Sequence, residues 1–233
     1  MQAHDRLVVA IDASTREEIL RLADTLRGVA GTLKIGLQAF IANGPSIVRE
    51  LVARGERVFL DLKIHDIPNT AGHAIAEVAS LGASMATVHT AGGASMLRAC
   101  NHSALLVLGV TVLTSLAEAD LEQIGFHGSA ESNATRLARL AQSSGLRGVV
   151  ASPLEIEAIR EACGPGFVIL TPGIRPAGSE AGDQRRTLSP GQAVRAGADY
   201  IVVGRPITSA ADPRSAASRV IEEMSALSTA SRE

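Results

Sequence analysis

The sequence is poor in the features that mark several classes of protein. Its 233 residues include two cysteines, Cys100 and Cys163, which lie far apart and form no C-x-x-C pair, so neither a disulfide framework nor a zinc site is indicated. No apolar run approaches the roughly 18 residues that a membrane span needs, and no secretory signal follows Met1. We therefore expect a soluble protein that does not bind membranes and resides in the reducing cytoplasm.

Net basic charge is also lacking. The formal net charge is −2 and the sequence pI is near 6.3, which gives no reason to expect nucleic acid as a partner. The six histidines show no H-E-x-x-H or comparable ligand spacing, so no metal site is expected. A small phosphate-bearing molecule is compatible with this composition.

Apolar runs and helical patterns alternate along the whole chain. Hydrophobic residues make up 46% of the sequence, enough for one large core, and barrels of this length are commonly single domains. No G-x-G-x-x-G motif follows the first apolar run, which argues against an open dinucleotide-binding sheet. At a mean repeat of roughly 25 to 30 residues, the pattern predicts a single-domain α/β fold, a (β/α)₈ TIM barrel over residues 1–233. The predicted strands are 7–11, 33–36, 57–64, 85–90, 105–110, 148–151, 167–170 and 200–204.

The predicted helices lie between these strands. Ser14 and Glu17 form a capping-box pattern, which indicates that the first helix begins there and runs to Gly28. Gly44 and Pro45 mark the start of the second helix, because proline is favoured in a first helical turn. Further helices are predicted over 71–81, 95–100, 116–122, 131–142, 153–162, 190–196 and 213–227.

The stretch from Asp61 to Thr70, DLKIHDIPNT, places charge at the end of the third predicted strand. Because side chains alternate between the faces of a strand, Asp61 and Lys63 should point the same way. Asp66 falls just beyond the strand, and Pro68 suits the first turn of a helix, where its missing N–H would have no partner. The two charges could be an ion pair that tethers a loop. Their desolvation is costly, however, which makes a purely structural role a weak explanation and favours a function.

Two further charges are associated with neighbouring strands. Asp12 ends the first predicted strand, and Lys34 lies within the second, between apolar residues. Active sites of such barrels lie at the C-terminal ends of the strands, where Asp12 and Lys34 would be lateral neighbours of Asp61 and Lys63. Lys34 could be a surface lysine at a strand edge, although its apolar neighbours argue against this. The sequence thus predicts four alternating charges at one mouth of the barrel.

Glycine and proline are concentrated after the last two strands. Residues 173–186 form a long loop rich in glycine and charge, and Gly204 and Arg205 end the eighth strand. Such barrels often bind phosphate at these two loops, and an arginine can grip phosphate through two parallel hydrogen bonds. The alternative is a solvated loop together with a structural glycine turn. We favour a mobile loop over 174–189 that grips phosphate.

Two histidines adjoin the charged corner. His65 lies between Ile64 and Asp66, which favours an orienting or packing role over catalysis. His89 lies at the end of the fourth predicted strand, where a packing role and a functional role are both open. The sequence therefore assigns a catalytic role to neither histidine.

Three stretches closely resemble the motifs of the orotidine 5′-monophosphate decarboxylase family: DLKIHDIPNT, TPGIRPxGSEAGDQRR and VVGRPI. The resemblance runs from about Arg6 to Asp212. It implies a carbon–carbon lyase that converts orotidine 5′-monophosphate to uridine 5′-monophosphate, the last step of pyrimidine synthesis, without a metal or an organic cofactor. It also implies a homodimer with shared active sites.

The resemblance implies roles for individual residues. Lys63 would protonate the ring carbon that loses its carboxylate, and Asp66 would come from the other subunit. Lys34 and Asp61 would complete the catalytic charges, with Asp61 close to the substrate carboxylate. The remaining substrate contacts would be Asp12, Lys34 and Thr70 at the ribose, Thr114 and Ser115 at the pyrimidine edge, and Arg175, Gln184, Gly204 and Arg205 at the phosphate and the loop that closes over it.

Two other functions fit parts of the pattern. A magnesium-dependent keto-sugar-phosphate decarboxylase or hexulose-phosphate synthase would share the barrel and the D-x-K-x-x-D motif. Such relatives carry a glutamate at the position of Lys34, however, and magnesium favours oxygen ligands. A non-catalytic sensor of phosphate ligands would not need a lysine between two carboxylates. Lys34 therefore favours the decarboxylase of orotidine 5′-monophosphate.

Overall fold

Eight parallel strands form the centre of the molecule in a computed structural model that describes residues 2–176 and 187–226. The strands are β1 (Leu7–Ile11), β2 (Thr32–Gly36), β3 (Val58–Ile64), β4 (Met85–His89), β5 (Leu106–Val110), β6 (Gly148–Val150), β7 (Val168–Thr171) and β8 (Tyr200–Val203). Neighbouring strands pair in sequence order, and β8 pairs with β1, so the sheet closes. The predicted (β/α)₈ barrel is confirmed.

Helices follow the strands and cover the outside of the barrel. They are α1 (Ala3–Arg6), α2 (Arg16–Leu26), α3 (Leu37–Asn43), α4 (Pro45–Ala53), α5 (Pro68–Ser80), α6 (Gly93–Ala99), α7 (Glu118–Gln123), α8 (Ala130–Ser143), α9 (Ile156–Cys163), α10 (Pro190–Ala196), α11 (Arg205–Thr208) and α12 (Pro213–Ala226), with 3₁₀ turns over Thr90–Gly92 and Pro153–Glu155. Within residues 2–176 and 187–226, no helix has the length and apolar character needed to cross a membrane.

Most helix positions agree with the sequence pattern, and the differences lie at helix ends and in short helices. Helix α5 begins at Pro68, the residue predicted to suit a first helical turn, three residues before the predicted bound at residue 71. The predicted cap of α2 is wrong by one residue, because the Thr15 hydroxyl, not that of Ser14, accepts the hydrogen bond from the Glu18 N–H. The short helices α1, α3 and α11 were not predicted from the sequence.

Each strand buries side chains on both faces, as expected in a parallel barrel. In β1, Val8 and Ala10 belong to the cluster inside the barrel, whereas Leu7, Val9 and Ile11 pack with the surrounding helices. The interior cluster comprises Val8, Ala10, Phe59, Met85, Leu108, Leu170 and Val202. This apolar interior forms the floor beneath the polar residues at the C-terminal ends of the strands.

Candidate active site

A cavity of about 280 Å³ opens at the C-terminal ends of the strands. Four members of the interior cluster, Ala10, Phe59, Leu170 and Val202, contribute to its apolar lining. The charged and polar lining residues are Asp12, Lys34, Asp61, Lys63, Thr114, Arg175 and Arg205. Polar groups above an apolar floor are typical of small-molecule sites, where low polarity strengthens electrostatic interactions.

The end of β3 reaches this cavity through a bulge. Its ladder with β4 pairs Leu60 with Ala86 and then Ile64 with Val88, so β3 advances four residues (60 to 64) while β4 advances two (86 to 88). Lys63 lies within the extra length and has a φ of 52°, a left-handed conformation that non-glycine residues rarely adopt. Bulges beside active sites commonly redirect a side chain, and this one carries the lysine of the predicted site.

Four charges meet at the mouth of the barrel, and we call them the charge array. Lys63 Nζ lies 2.9 Å from each carboxylate oxygen of Asp61. Lys34 Nζ lies 3.6 Å from Asp61 Oδ2 and 3.5 Å from Asp12 Oδ1. The order Asp12, Lys34, Asp61, Lys63 alternates in sign, as the sequence predicts, so each ammonium has at least one carboxylate neighbour.

Burial and neighbouring charge act in opposite directions on Asp61. Its side chain is only 13% exposed, and burial alone would raise the pKa of the carboxyl group. The charges of Lys34 and Lys63, together with hydrogen bonds from Lys63 and Thr87, outweigh burial and hold this pKa below its ordinary value. Asp61 is therefore ionised at neutral pH, and the array presents fixed charges to a ligand.

Gly36 makes room for the array at the end of β2. A Cβ atom there would lie 3.0 Å from Lys34 Nζ and 3.3 Å from Asp12 Oδ1. Any side chain would therefore crowd the contact between the ammonium and the carboxylate. The glycine that ends the L-K-I-G strand lets the lysine two residues earlier extend across the strand end.

Lys34 and Lys63 are the two lysines of the whole chain, and the other 20 of its 22 Lys and Arg residues are arginines. Arginine stays charged in proteins, whereas lysine can give up its proton when its surroundings demand it. Both lysines of the chain therefore line this cavity, and the strongly basic residues elsewhere in the chain are arginines. The scarcity of lysine in the rest of the sequence therefore points to these two residues independently of the D-x-K-x-x-D motif.

The other predicted site residues divide between the cavity and the surface. Thr114 lines the cavity, but the next residue, Ser115, is exposed and is not part of the lining. Asp66 and Thr70 are also exposed and do not line the cavity of their own chain. The Asp66 carboxylate accepts a hydrogen bond of 2.7 Å from the Ile67 N–H, at the start of α5.

The predicted phosphate-binding residues lie around the ends of β7 and β8. The ends of the predicted loop 174–189 are joined, because Ile174 bridges Leu188 and the Arg175 N–H donates to the Leu188 carbonyl oxygen at 3.0 Å. Gln184 and the rest of 177–186 lie outside the described residues. The described residues of the predicted phosphate set that line the cavity are Arg175, Gly204 and Arg205.

His65 and His89 lie side by side near the charge array, with ring centroids 5.6 Å apart. Burial lowers the pKa of His89, and the charges of His65 and Lys63 lower it further, against a smaller opposing effect of Asp61. His89 is therefore neutral at pH 7 and adds no positive charge beside Lys63.

Thr87 contacts the array but was not predicted from the sequence. This residue of β4 is fully buried, and its hydroxyl lies 2.9 Å from both Asp61 Oδ1 and the Lys63 backbone nitrogen. Threonine is common in strands for reasons of packing, and its two partners are 26 and 24 residues away in sequence. Nothing in the local sequence therefore distinguishes Thr87 from a core residue.

Proteins of known family have sequences similar to this chain. A model of the orotidine 5′-phosphate decarboxylase / HUMPS family matches residues 5–220. Orotidine 5′-phosphate decarboxylase of Moorella thermoacetica is 48% identical over 236 residues, which cover 96% of this chain and 94% of the relative. The enzyme of the same name from Heliobacterium modesticaldum is 47% identical and covers 96% of this chain and 97% of the relative.

Solved structures show the same relationship. The crystal structure of orotidine 5′-phosphate decarboxylase from Lactobacillus acidophilus superposes with a TM-score of 0.84 at 33% identity, over 94% of this chain and 98% of the other. An uncharacterized conserved protein from Geobacillus kaustophilus superposes with a TM-score of 0.80 at 35% identity, over 94% and 99% of the two chains. With its charge array at the mouth of a closed barrel, the chain belongs to the orotidine 5′-phosphate decarboxylase / HUMPS family.

Proposed function

We propose that this protein removes carbon dioxide from orotidine 5′-monophosphate to give uridine 5′-monophosphate, the last step of de novo pyrimidine biosynthesis. The observation that carries the proposal is the charge array, in which an ammonium lies 2.9 Å from both oxygens of a buried carboxylate. Relatives that are 47% to 48% identical carry the name of this activity. In our proposal the array performs the chemistry without a metal or an organic cofactor.

The charge array can stabilise the negative charge that develops on the ring carbon in this reaction. When the bond to the departing carboxylate breaks, its electron pair stays on the ring carbon in the plane of the ring, where the π system cannot delocalise it. Stabilisation must then come from fixed charge placed beforehand. Lys63 Nζ supplies that charge, then transfers a proton to the ring carbon and regains one from solvent.

Asp61 and Lys34 position the groups that take part in this step. The Asp61 carboxylate holds Lys63 in place, and it also crowds the carboxylate of a bound substrate. Such crowding helps only when contacts remote from the reacting carbon hold the substrate in position. Lys34 sits between Asp12 and Asp61, so it keeps two carboxylates close together and donates to the ribose hydroxyls in our assignment.

The remaining substrate contacts follow the shape of the cavity. Asp12 lies at its rim, 57% exposed, where it can accept hydrogen bonds from the ribose. Thr114, followed by Ser115 on the same loop, meets the pyrimidine edge. The phosphate is bound by the groups after β7 and β8, which are Arg175, Gln184, Gly204 and Arg205.

We propose further that two subunits form a homodimer with shared active sites. Asp66 and Thr70 do not line the cavity of their own chain, although the site needs them by family resemblance. Two large apolar side chains in the segments that follow β2 and β3 are exposed, because Ile41 of α3 is 78% exposed and Ile67 is 66% exposed. A partner that covers these side chains would place Asp66 and Thr70 against its own charge array.

We also propose that the enzyme works in the reducing cytoplasm and binds neither nucleic acid nor membranes. The thiols of Cys100 and Cys163 are both free, and burial raises the pKa of Cys100 to about 11, which makes it unreactive. The net charge of −2 gives no attraction to polyanions such as nucleic acid or anionic lipid surfaces.

A magnesium-dependent phosphosugar enzyme is the closest alternative. Among residues 2–176 and 187–226, no three His, Cys, Asp or Glu side chains form a group that could hold a metal ion. Lys34 instead lies between Asp12 and Asp61, where its ammonium occupies the place between two carboxylates that a cation would take.

The direct test mixes the purified protein with orotidine 5′-monophosphate and follows the fall in absorbance as the substrate loses its carboxylate. We expect the same rate with and without EDTA. A rate that vanishes in EDTA and returns with magnesium would support the alternative. No absorbance change under any of these conditions would contradict the proposed function.

Replacing Arg205 tests the phosphate site. We expect Arg205→Ala to raise KM about 10-fold to 100-fold, because a charge-assisted hydrogen bond to phosphate is lost. It should also lower kcat, since phosphate contacts drive loop closure. Arg219→Ala, at an exposed arginine of α12, is the matched control and should behave as wild type. Unchanged steady-state kinetics for Arg205→Ala would count against this site.

A further inference from the structure

We propose that Thr87 is a positioning residue for the decarboxylation, a role that rests on the proposed function. Its hydroxyl forms hydrogen bonds with both the backbone N–H of Lys63 and the carboxylate of Asp61. Thr87 itself does not line the cavity, so in this proposal it acts on the reaction through these two residues.

The directions of the two hydrogen bonds are fixed by their chemistry. The backbone N–H of Lys63 can only donate, so the Thr87 hydroxyl oxygen is the acceptor in that contact of 2.9 Å. The single hydroxyl hydrogen is then available for Asp61, whose ionised carboxylate can only accept, also at 2.9 Å. Thr87 therefore relays one continuous hydrogen-bond chain from the lysine backbone to the carboxylate.

The place of Thr87 in the sheet explains why this relay exists. The β3 ladder pairs with Ala86 and Val88, and Thr87 is the residue of β4 between those two partners. Opposite it, the register of the ladder shifts between Leu60 and Ile64, and Lys63 lies within that shift. The Thr87 hydroxyl accepts the hydrogen bond from the Lys63 N–H and so stabilises the left-handed conformation of Lys63, with its φ of 52°.

The same hydroxyl limits the freedom of Asp61. Asp61 Oδ1 accepts from Thr87 on one side and from Lys63 Nζ on the other. The carboxylate is therefore held in one orientation, with Lys63 Nζ at 2.9 Å from both its oxygens. Catalysis by fixed charge requires such prior orientation, and a displacement of about 1 Å can lower a rate about 100-fold.

The test replaces Thr87 with valine, which keeps the shape and burial of the side chain but removes the hydroxyl. We expect Thr87→Val to lower kcat for orotidine 5′-monophosphate about 30-fold, with KM within about threefold of wild type because the phosphate and ribose contacts are elsewhere. Thr87→Ser restores the hydroxyl and should return kcat to within about threefold of wild type.

Thr90→Val is the matched control. Thr90 is also fully buried and follows the same strand, and its hydroxyl donates to the Val110 carbonyl oxygen at 2.7 Å, a backbone group that is not part of the charge array. Loss of this hydroxyl should lower the melting temperature as much as Thr87→Val does, while kcat stays near wild type. Binding of uridine 5′-monophosphate, measured by calorimetry, should be retained in all three variants.

The outcomes separate this inference from the proposed function. If wild type does not decarboxylate the substrate, the proposed function fails. If wild type is active and Thr87→Val keeps its kcat, the positioning role is wrong. Loss of nucleotide binding in Thr87→Val, or an equal loss of kcat in Thr90→Val, would show a general structural effect and would also overturn the inference. Thr87→Ala provides the same comparison if the valine variant does not fold.

Discussion

Lys63→Ala is expected to lower kcat for orotidine 5′-monophosphate by about 10⁴-fold, because one substitution removes both the proton donor and the nearest positive charge. Binding of uridine 5′-monophosphate should remain measurable, since the groups assigned to the phosphate lie after β7 and β8. Steady-state kinetics and calorimetry on the same preparation would separate the two effects.

Lys63→Arg sharpens this experiment. A guanidinium keeps the positive charge but stays protonated in proteins, so it cannot deliver the proton. If proton transfer from Lys63 is essential, the arginine variant should be nearly as inactive as the alanine variant. Substantial turnover by Lys63→Arg would assign Lys63 a purely electrostatic role. Near-normal turnover by Lys63→Ala would remove it from the mechanism.

Two inactive variants should regenerate activity when mixed, because each active site is expected to use Asp66 from the neighbouring subunit. Lys63→Ala and Asp66→Ala should each be nearly inactive as homodimers. In a heterodimer, the subunit with Asp66→Ala keeps its own Lys63 and receives an intact Asp66 from its partner. One of the two sites is then whole.

The expected recovery can be calculated. Random exchange of equal amounts places about half of the subunits in heterodimers, and one of the two sites in each is whole, so activity should reach about a quarter of wild type per subunit. Subunit exchange must be shown independently, for example by native mass spectrometry of differently tagged chains. Complete exchange with no recovery would mean that Asp66 acts within its own chain, and recovery without a dimer would contradict the shared site.

The charge array could be predicted from the sequence because its residues lie at strand ends that the barrel brings together. Asp12 and Lys34 belong to β1 and β2, and Asp61 and Lys63 to β3, which are successive strands of the closed sheet. Once the eight-strand repeat is recognised, lateral proximity follows from the topology. The ion-pair distances of 2.9 to 3.6 Å agree with that expectation.

The conformation that completes the array could not be predicted. Regular alternation places Asp61 and Lys63 on one face, and both do line the cavity. The strand is nevertheless not regular there, because a bulge puts Lys63 in a left-handed conformation. The partner that stabilises this bulge, Thr87, lies on another strand. Its role depends on register, which local sequence patterns do not encode.

The roles predicted for other residues depend on the proposed dimer or fall outside the described residues. Asp66 and Thr70 are exposed in the isolated subunit, so their assignment rests on a second copy. Gln184 lies outside the described residues. A motif resemblance can predict roles for such positions, whereas the fold of one subunit can place only the residues that its own elements carry.

The central claim is that the two lysines of this chain provide the positive charges that act in a nucleotide site. Its most direct test is selective acetylation of lysine on the wild-type protein. Acetylation removes the charge, and peptide mass spectrometry can follow Lys34, Lys63 and the terminal amine separately. Lys63 is 31% exposed and Lys34 is 12% exposed, so Lys63 should react first. We predict that decarboxylation is lost in proportion to acetylation of Lys63 and that saturating uridine 5′-monophosphate protects both lysines. Protein acetylated at both lysines that still decarboxylates the substrate would contradict the account.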